Sequence, residues 1–211
     1  MLGLPSTTEV MRVMPKVAFY EHLKLKAQEK KLFVAQIEKI TLANSIKPST
    51  MNIASGEKHS EILVLRIDLK QKHIEGLLLE AIARQNDHPL VFACQYLNEL
   101  CIYVYRQKLY NTGWMLDSSS VFNTSASNID QLWDSICSQV AFGKNTTDSF
   151  EDLDAQLALH ERVLTLDKEI DQLSSRSRKE KQPAKKNSLH EEARIKKEEL
   201  KRLKAGDNGE A

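Results

Sequence analysis

The chain has 211 residues, of which 41% are apolar and 28% are charged, and its formal net charge is +1. These values are ordinary for a globular protein and exclude the collagen-like and intrinsically disordered classes. Three cysteines are too few for a disulfide framework, and the sequence carries no signal-peptide pattern and no apolar run of membrane-spanning length. The sequence therefore predicts a cytoplasmic protein with reduced thiols and no membrane contact.

The first part of the chain predicts three helices. Ser6 and Glu9 have capping-box spacing, which predicts a short helix that ends before Pro15. Pro15 suits the first position of a second helix over residues 15–23. Apolar residues three or four positions apart predict a third, longer helix over residues 27–44. Its apolar positions are Leu32, Phe33, Ile37 and Ile40.

The middle of the chain predicts a mixed sheet with helices packed on it. Runs of β-branched and apolar residues predict strands at 61–69, 89–96, 100–105 and 109–116, the second and third forming a hairpin. Helical spacing predicts helices over 73–84 and 129–142, the latter ended by Gly143. Residues 1–147 are therefore expected to form one domain of the α+β or mixed α/β class.

The remainder of the chain has the pattern of two heptad segments separated by a break at Pro183. Apolar residues spaced 4, 3, 4, 3 predict the first segment, and the same spacing returns after the proline with one lysine in it. These positions are Leu159, Val163, Leu166, Ile170 and Leu173, then Leu189, Ala193, Lys196, Leu200 and Leu203. We expect a helical, coiled-coil-like hairpin over 148–204 and a flexible tail over 205–211.

Charge divides between the two arms of this hairpin. Residues 151–173 hold seven acids and two bases, a net charge of −5, whereas residues 174–204 hold twelve bases and five acids, a net charge of +7. Opposite charges favour antiparallel pairing of the arms. Six cations, against the single acid Glu180, are expected at the tip: Arg176, Arg178, Lys179, Lys181, Lys185 and Lys186. The tip is interpreted either as a solvated turn or as a contact for nucleic-acid phosphates or an acidic protein face.

Catalytic and cofactor signatures are weak throughout. The cysteines and histidines lack zinc-ligand spacing, and the isolated glycines form no phosphate-binding loop, so no cofactor is predicted. One alternative is a magnesium-dependent, restriction-type nuclease, because Asp68 and Lys70 form an acid-x-lysine pair at a strand end and Glu61 lies upstream. A second hypothesis is that Tyr103 and Tyr105, on one face of a strand, stack bases, although packing within the sheet explains them as well.

Several blocks, read in order, resemble a known bacterial family. They are PKVAFYEHL, LFVAQIEKITLANSIKPSTMNIASGE, EILVLRIDL, HPLVFACQY, YNTGWM, IDQLWDSICSQVAFG and the KEKQ turn. Together they resemble the domain-of-unknown-function family numbered 4391. The resemblance implies no activity and no catalytic residues. It implies a setting beside helicases and DNA methyltransferases of restriction-modification or defence loci.

The leading hypothesis is thus an accessory, non-enzymatic interaction protein of a restriction-modification or antiviral defence system. It would dock on a larger helicase, methyltransferase or nuclease and contact DNA through the hairpin tip. The rival is the nuclease described above. A third possibility is a homodimer joined through the hairpin, whose other domain binds a small ligand.

Overall fold

The computed structural model describes residues 2–17, 19, 25–117, 121–143 and 153–206. The chain divides into two compact units, residues 1–150 and 151–211, called here the α/β unit and the hairpin unit. Within the described ranges, each helix is too short or too polar to cross a lipid bilayer.

A six-stranded sheet forms the α/β unit, and its strands lie side by side in chain order. The strands are β1 (Glu9–Met14), β2 (Ile37–Ile46), β3 (Ile62–Leu69), β4 (Leu90–Tyr96), β5 (Glu99–Arg106) and β6 (Lys108–Leu116). Neighbouring strands are antiparallel except β3 and β4, which are parallel. A parallel pair needs a crossover connection, and the helix between β3 and β4 supplies it.

Helices whose full length is described accompany the sheet, and they are α1 (Ala27–Gln36), α2 (Pro48–Met51), α3 (Gly76–Arg84) and α4 (Ile129–Phe142). Phe33 of α1 and Leu78 of α3 are fully buried in one core cluster with Ile67 and Phe92 of the sheet. The α4 helix contributes to the buried core outside that cluster and contacts β5 and β6. Asn128 caps α4 by accepting the Gln131 N–H at 2.9 Å. The predicted α+β class is confirmed.

Most of the middle elements lie where the sequence predicts them. β3, the β4–β5 hairpin, β6 and α4 match closely, and Gly143 ends α4 with a φ of 68°. The helix predicted from residue 73 begins only at Gly76. Between β6 and α4, residues 121–128 belong to no helix or named strand, and residues 118–120 lie outside the described part of the chain.

Two helix predictions near the start are wrong. The predicted short helix is a single 3-10 turn, Ser6–Thr8, and the next six residues form edge strand β1. The predicted helix over 27–44 ends at Gln36, where the chain becomes β2. Pairing with β3 overrides local helix propensity there. Of the helix predicted over 15–23, the Phe19 N–H donates to the Pro15 carbonyl at 3.3 Å, and Ala18 and residues 20–23 lie outside the described part.

The hairpin unit consists of α5 (Leu153–Lys179) and α6 (Pro183–Gly206), which pack along their lengths. Leu166, Ile170, Leu173 and Ala193, all predicted seam positions, are buried. Ion pairs cross the seam, among them Lys196–Glu169 at 2.7 Å. The predicted helical hairpin is confirmed, and α6 extends two residues beyond its predicted end. The rest of the predicted tail, residues 207–211, lies outside the described part.

Candidate functional site

A three-residue connection, residues 180–182, joins α5 to α6 and forms the end of the hairpin. Pro183 is the first residue of α6. Proline is tolerated there because the backbone N–H at the start of a helix has no partner within the helix. Glu180 accepts the Gln182 N–H at 2.9 Å, so its carboxylate is bonded to the turn. Ser177 of α5 donates its hydroxyl to the Lys186 carbonyl at 3.2 Å and ties the two helices together there.

All six predicted cations lie at this end of the hairpin and are exposed, and we call them the basic tip. They are Arg176, Arg178 and Lys179 in the last turn of α5, Lys181 in the connection, and Lys185 and Lys186 at the start of α6. Within the described part of the chain, none of them forms an ion pair with a carboxylate. The structure therefore brings together every residue that the sequence places at the tip.

A groove of about 420 Å³ continues from the basic tip along the two helices. Ser177 and Ala193, both buried, are small residues that line it. The groove is lined by Ser174, Ser177, Arg178, Lys186, His190, Ala193, Arg194 and Lys197. No acid lines it, although Glu191 and Glu198 on α6 pair with Arg194.

The three residues of the predicted nuclease site are not brought together. Glu61 precedes β3, whereas Asp68 lies near the opposite end of that strand. They are seven positions apart along extended chain, which is about 23 Å at ~3.3 Å per residue. Glu61 accepts the Ser45 hydroxyl at 2.5 Å and lies 3.5 Å from the Lys47 ammonium. These contacts give Glu61 a local, structural role.

Asp68 and Lys70 instead line a cleft of about 380 Å³ at the carboxyl ends of β3 and β4, which we call the carboxyl-end cleft. Its lining is Glu38, Lys39, Arg66, Asp68, Leu69, Lys70, Gln95, Tyr96 and Leu97. Arg66 donates to Asp68 Oδ1 at 2.8 Å, and Lys70 Nζ donates to the Val34 carbonyl at 2.8 Å. Ligands commonly bind beyond the carboxyl ends of parallel strands.

A β-bulge in β2 places Glu38 in this cleft. The register with β3 shifts between Ile37 and Lys39, so that Glu38 is the extra residue, and Ile37 and Ile40 on either side of Glu38 and Lys39 are buried. Glu38 and Lys39 are consequently both exposed and both line the cleft. Sequence reasoning missed Glu38 and Gln95, because a bulge and a parallel neighbour leave no local pattern.

Other reactive groups are used in packing. Cys94 and Cys101 face each other across β4 and β5, and burial raises the pKa of both thiols. Burial also raises the pKa of Tyr103, and this ring packs against the core cluster. Among the described residues, no three His, Cys, Asp or Glu side chains are grouped as metal ligands.

The chain was compared with curated proteins, solved structures and protein-family models. No curated protein and no solved structure matches it. The family model described as "Domain of unknown function (DUF4391)" matches residues 2–200, which include both units nearly whole. The chain therefore belongs to the DUF4391 family.

Proposed function

We propose that this protein is an accessory factor that binds the phosphate backbone of DNA through the basic tip of its hairpin. Its α/β unit docks on a larger protein of a restriction-modification or defence system, such as a helicase or a DNA methyltransferase. Binding of this kind is independent of base sequence, since the tip carries cations and no aromatic residues.

The observation that carries the proposal is the set of six exposed cations without carboxylate partners in the described part of the chain. A structural role explains only some of them. Arg176, Arg178 and Lys179 lie at the carboxyl end of α5, where the helix dipole favours positive charge. Lys185 and Lys186 lie in the first turn of α6, where the dipole of α6 disfavours positive charge. The positive charges of Lys185 and Lys186 at the start of a helix do not stabilise that helix, and this supports a role for them in binding DNA.

The docking half of the proposal is supported by family membership. The family resemblance implies a genomic setting beside helicases and methyltransferases, which is an association with those proteins. The hairpin offers one DNA contact, and its groove adds Lys197 some 22 Å along α6 from the turn, at ~1.5 Å per residue.

Charge reversal tests the DNA contact. The tip variant replaces four residues by glutamate: Arg176, Arg178, Lys179 and Lys181. A matched control reverses four exposed cations of the α/β unit, with the same change in net charge: Arg12, Lys30, Lys31 and Lys58. In fluorescence anisotropy with a 30-base-pair duplex, we expect the tip variant to lose binding and the control to retain most of it. Equal loss in both variants would show that net charge, and not the tip, is responsible.

Partner capture tests the docking half. Tagged full-length protein is incubated with extract of its native host, eluted with a salt gradient and examined by mass spectrometry. We expect a helicase or methyltransferase at a stoichiometric level, also with the tip variant, because docking is assigned to the α/β unit. Recovery of nucleic acid without such a protein would contradict the accessory role.

A further inference from the structure

We propose that the groove of the hairpin unit binds a single-stranded DNA tail beside the duplex that the basic tip contacts. The hairpin then recognises a junction between duplex and single strand, and the groove binds the phosphates of the single-stranded tail. This inference rests on the proposed DNA contact of the basic tip and deepens it by naming the form of DNA that the hairpin recognises.

Basic side chains line the groove in a row along one face of α6. They stand at intervals of four, four and three residues, which is the spacing of neighbours on a single helix face. They are Lys186, His190, Arg194 and Lys197. The first and the last are eleven positions apart, which is about 16 Å at ~1.5 Å per residue. The groove therefore offers basic groups along a line and not at a single point.

Pairing within the hairpin does not account for this row. Arg194 pairs with Glu191 and Glu198, neither of which lines the groove. Lys186 and Lys197 form no ion pair with a carboxylate in the part of the chain that the structure describes. Like charges three positions apart on a helix, as at Arg194 and Lys197, repel each other. A polyanion in the groove would relieve this repulsion.

The size of the groove favours one strand of nucleic acid over two. Its volume of about 420 Å³ lies in the lower part of the range of small-molecule sites, which is about 300–1,000 Å³. Ser177 and Ala193 are small and buried, so part of the lining lies below the surface of the hairpin. A duplex, whose major groove alone is about 12 Å wide, cannot enter a recess of this volume. A single sugar-phosphate chain is narrow enough to do so.

The lining also favours a tail attached to a duplex over a free single strand. Proteins that bind single strands on their own combine a basic groove with aromatic side chains that stack on the bases. Among the described residues that line this groove, none is Phe, Tyr or Trp. Arg178 and Lys186 belong both to the basic tip and to the groove, so a strand that leaves the duplex at the tip meets the groove directly. Linking the two contacts in one ligand makes the second contact intramolecular, which strengthens a weak site.

Fluorescence anisotropy of the full chain in 0.1 M salt tests the tail contact. The probes are the blunt 30-base-pair duplex and the same duplex with 5′ or 3′ oligothymidine tails of increasing length. We expect a tail to tighten binding at least about fivefold, which is what one phosphate contact on a single strand contributes at 0.1 M relative to 1 M salt. The gain should level off near about five nucleotides, because a stacked strand advances about 3.4 Å per nucleotide and the row is about 16 Å long. A gain below about twofold with tails of both polarities would overturn the proposal.

Neutral replacements locate the tail contact. The groove variant combines Arg194→Gln with Lys197→Gln. The matched control combines Lys168→Gln with Arg202→Gln, which removes the same charge from exposed positions of the hairpin outside the groove. The groove variant should lose most of the gain from the tail and still bind the blunt duplex, whereas the control should retain both. Equal gains from the tail in the two variants would overturn the assignment to the groove.

Failure of the proposed function and failure of this inference give different results. Blunt-duplex binding that is unchanged in the tip variant contradicts the proposed contact at the tip, whereas this inference depends on the ratio of tailed to blunt binding in the wild type. An acidic protein segment is the other polyanion that a basic groove could take, and a poly-glutamate peptide serves as its probe. Peptide binding that requires Arg194 and Lys197, together with no gain from a DNA tail, would assign the groove to such a segment and overturn the proposal.

Discussion

The two units of this chain are stabilised in different ways. In the α/β unit, strands distant in sequence lie side by side, and large side chains such as Phe33, Phe92 and Ile67 are completely enclosed. In the hairpin unit, burial is confined to a narrow seam that includes Leu166 and Ile170, and charged residues cover most of the remaining surface. The comparison teaches that the α/β unit is stabilised mainly by a broad apolar core, whereas the hairpin combines a narrow apolar seam with a largely charged surface.

The hairpin also shows which charges are used internally. Lys196 pairs with Glu169 across the seam, and Arg162 pairs with Glu199 at 2.5 Å. The hydrogen bond from Lys196 lowers the pKa of Glu169. These pairs lie along the arms, whereas the basic tip lies beyond them. Pairing thus ends before the basic tip.

The largest expected effect comes from placing acids in the seam. Replacing Leu166 and Ile170 by aspartate buries two unpaired carboxylates, which the narrow seam cannot compensate. We expect α5 and α6 to lose their helical circular dichroism. Both tryptophans, Trp114 and Trp133, belong to the α/β unit, so their fluorescence should stay native. Leu164→Asp is the matched control, because Leu164 lies on α5 and is 55% exposed. An unchanged helix signal in the double variant would contradict the hairpin.

The second largest expected effect is a loss of stability in the α/β unit alone. Phe92 is fully buried at the centre of the sheet, and Phe92→Ala should lower the free energy of unfolding by about 3–5 kcal/mol. Urea unfolding followed by tryptophan fluorescence measures this loss. Val121→Ala, at a position 70% exposed, should change the same quantity by less than about 0.5 kcal/mol. Similar losses in the two variants would mean that the core is not where the structure has it.

A smaller effect is expected where Asp130, in the first turn of α4, holds a loop. Its carboxylate accepts the N–H groups of Glu57, Lys58 and His59 at 2.7, 3.0 and 2.9 Å. Burial raises the pKa of Asp130, but these three hydrogen bonds outweigh it and the pKa lies below its ordinary value. Asp130→Ala should lower the free energy of unfolding by about 1.5–3 kcal/mol at pH 7, the range for hydrogen bonds to a charged group.

The pH dependence of this contribution follows from the direction of the shift. A depressed carboxyl pKa stabilises the fold above the unfolded-state pKa, which is about 3.9, and the contribution disappears as the pH falls through the folded-state pKa. The difference between wild type and Asp130→Ala should therefore shrink when urea unfolding is repeated at pH 3. A difference that stays constant with pH would exclude the carboxylate as its source.

The smallest expected effect is the coupling between Lys196 and Glu169. The two side chains are partly exposed, and a double-mutant cycle with alanine should give a weak coupling at low salt. This coupling should vanish near 1 M salt, where the Debye length is about 3 Å. Thermal unfolding of the four proteins at two salt concentrations measures it. A strong coupling that persists in 1 M salt would show that the pair is far less accessible to ions than its position indicates.

The sequence predicts the hairpin better than it predicts the start of the sheet, and the reason is physical. The seam of the hairpin depends on contacts between residues three or four positions apart, and Leu166, Ile170 and Leu173 display that spacing directly. The place of β2 depends on pairing with β3, which is distant in sequence. Local spacing alone contains no information about that partner.

The bulge in β2 accounts both for the wrong helix and for the missed site residue. An extra residue in a strand makes Ile37 and Ile40, three positions apart, face the same core, and this is also the spacing of a helix. The same bulge places Glu38 in the lining of the cleft that also contains Asp68. Glu61 lies at the other end of β3. Asp68 and Lys70 could be selected from their local acid-x-lysine pattern, whereas Glu38 could not.

The most direct test of the account is the salt dependence of DNA binding by the full chain. The slope of log K against log salt concentration reports the number of phosphates contacted, at about 0.9 per contact on duplex DNA. If the four reversed tip cations each contact a phosphate, the slope should become shallower by about 3.6 in the tip variant. It should stay unchanged in the α/β control with Arg12, Lys30, Lys31 and Lys58 reversed. Equal slopes in the wild type and the tip variant would contradict the assignment of DNA binding to the hairpin.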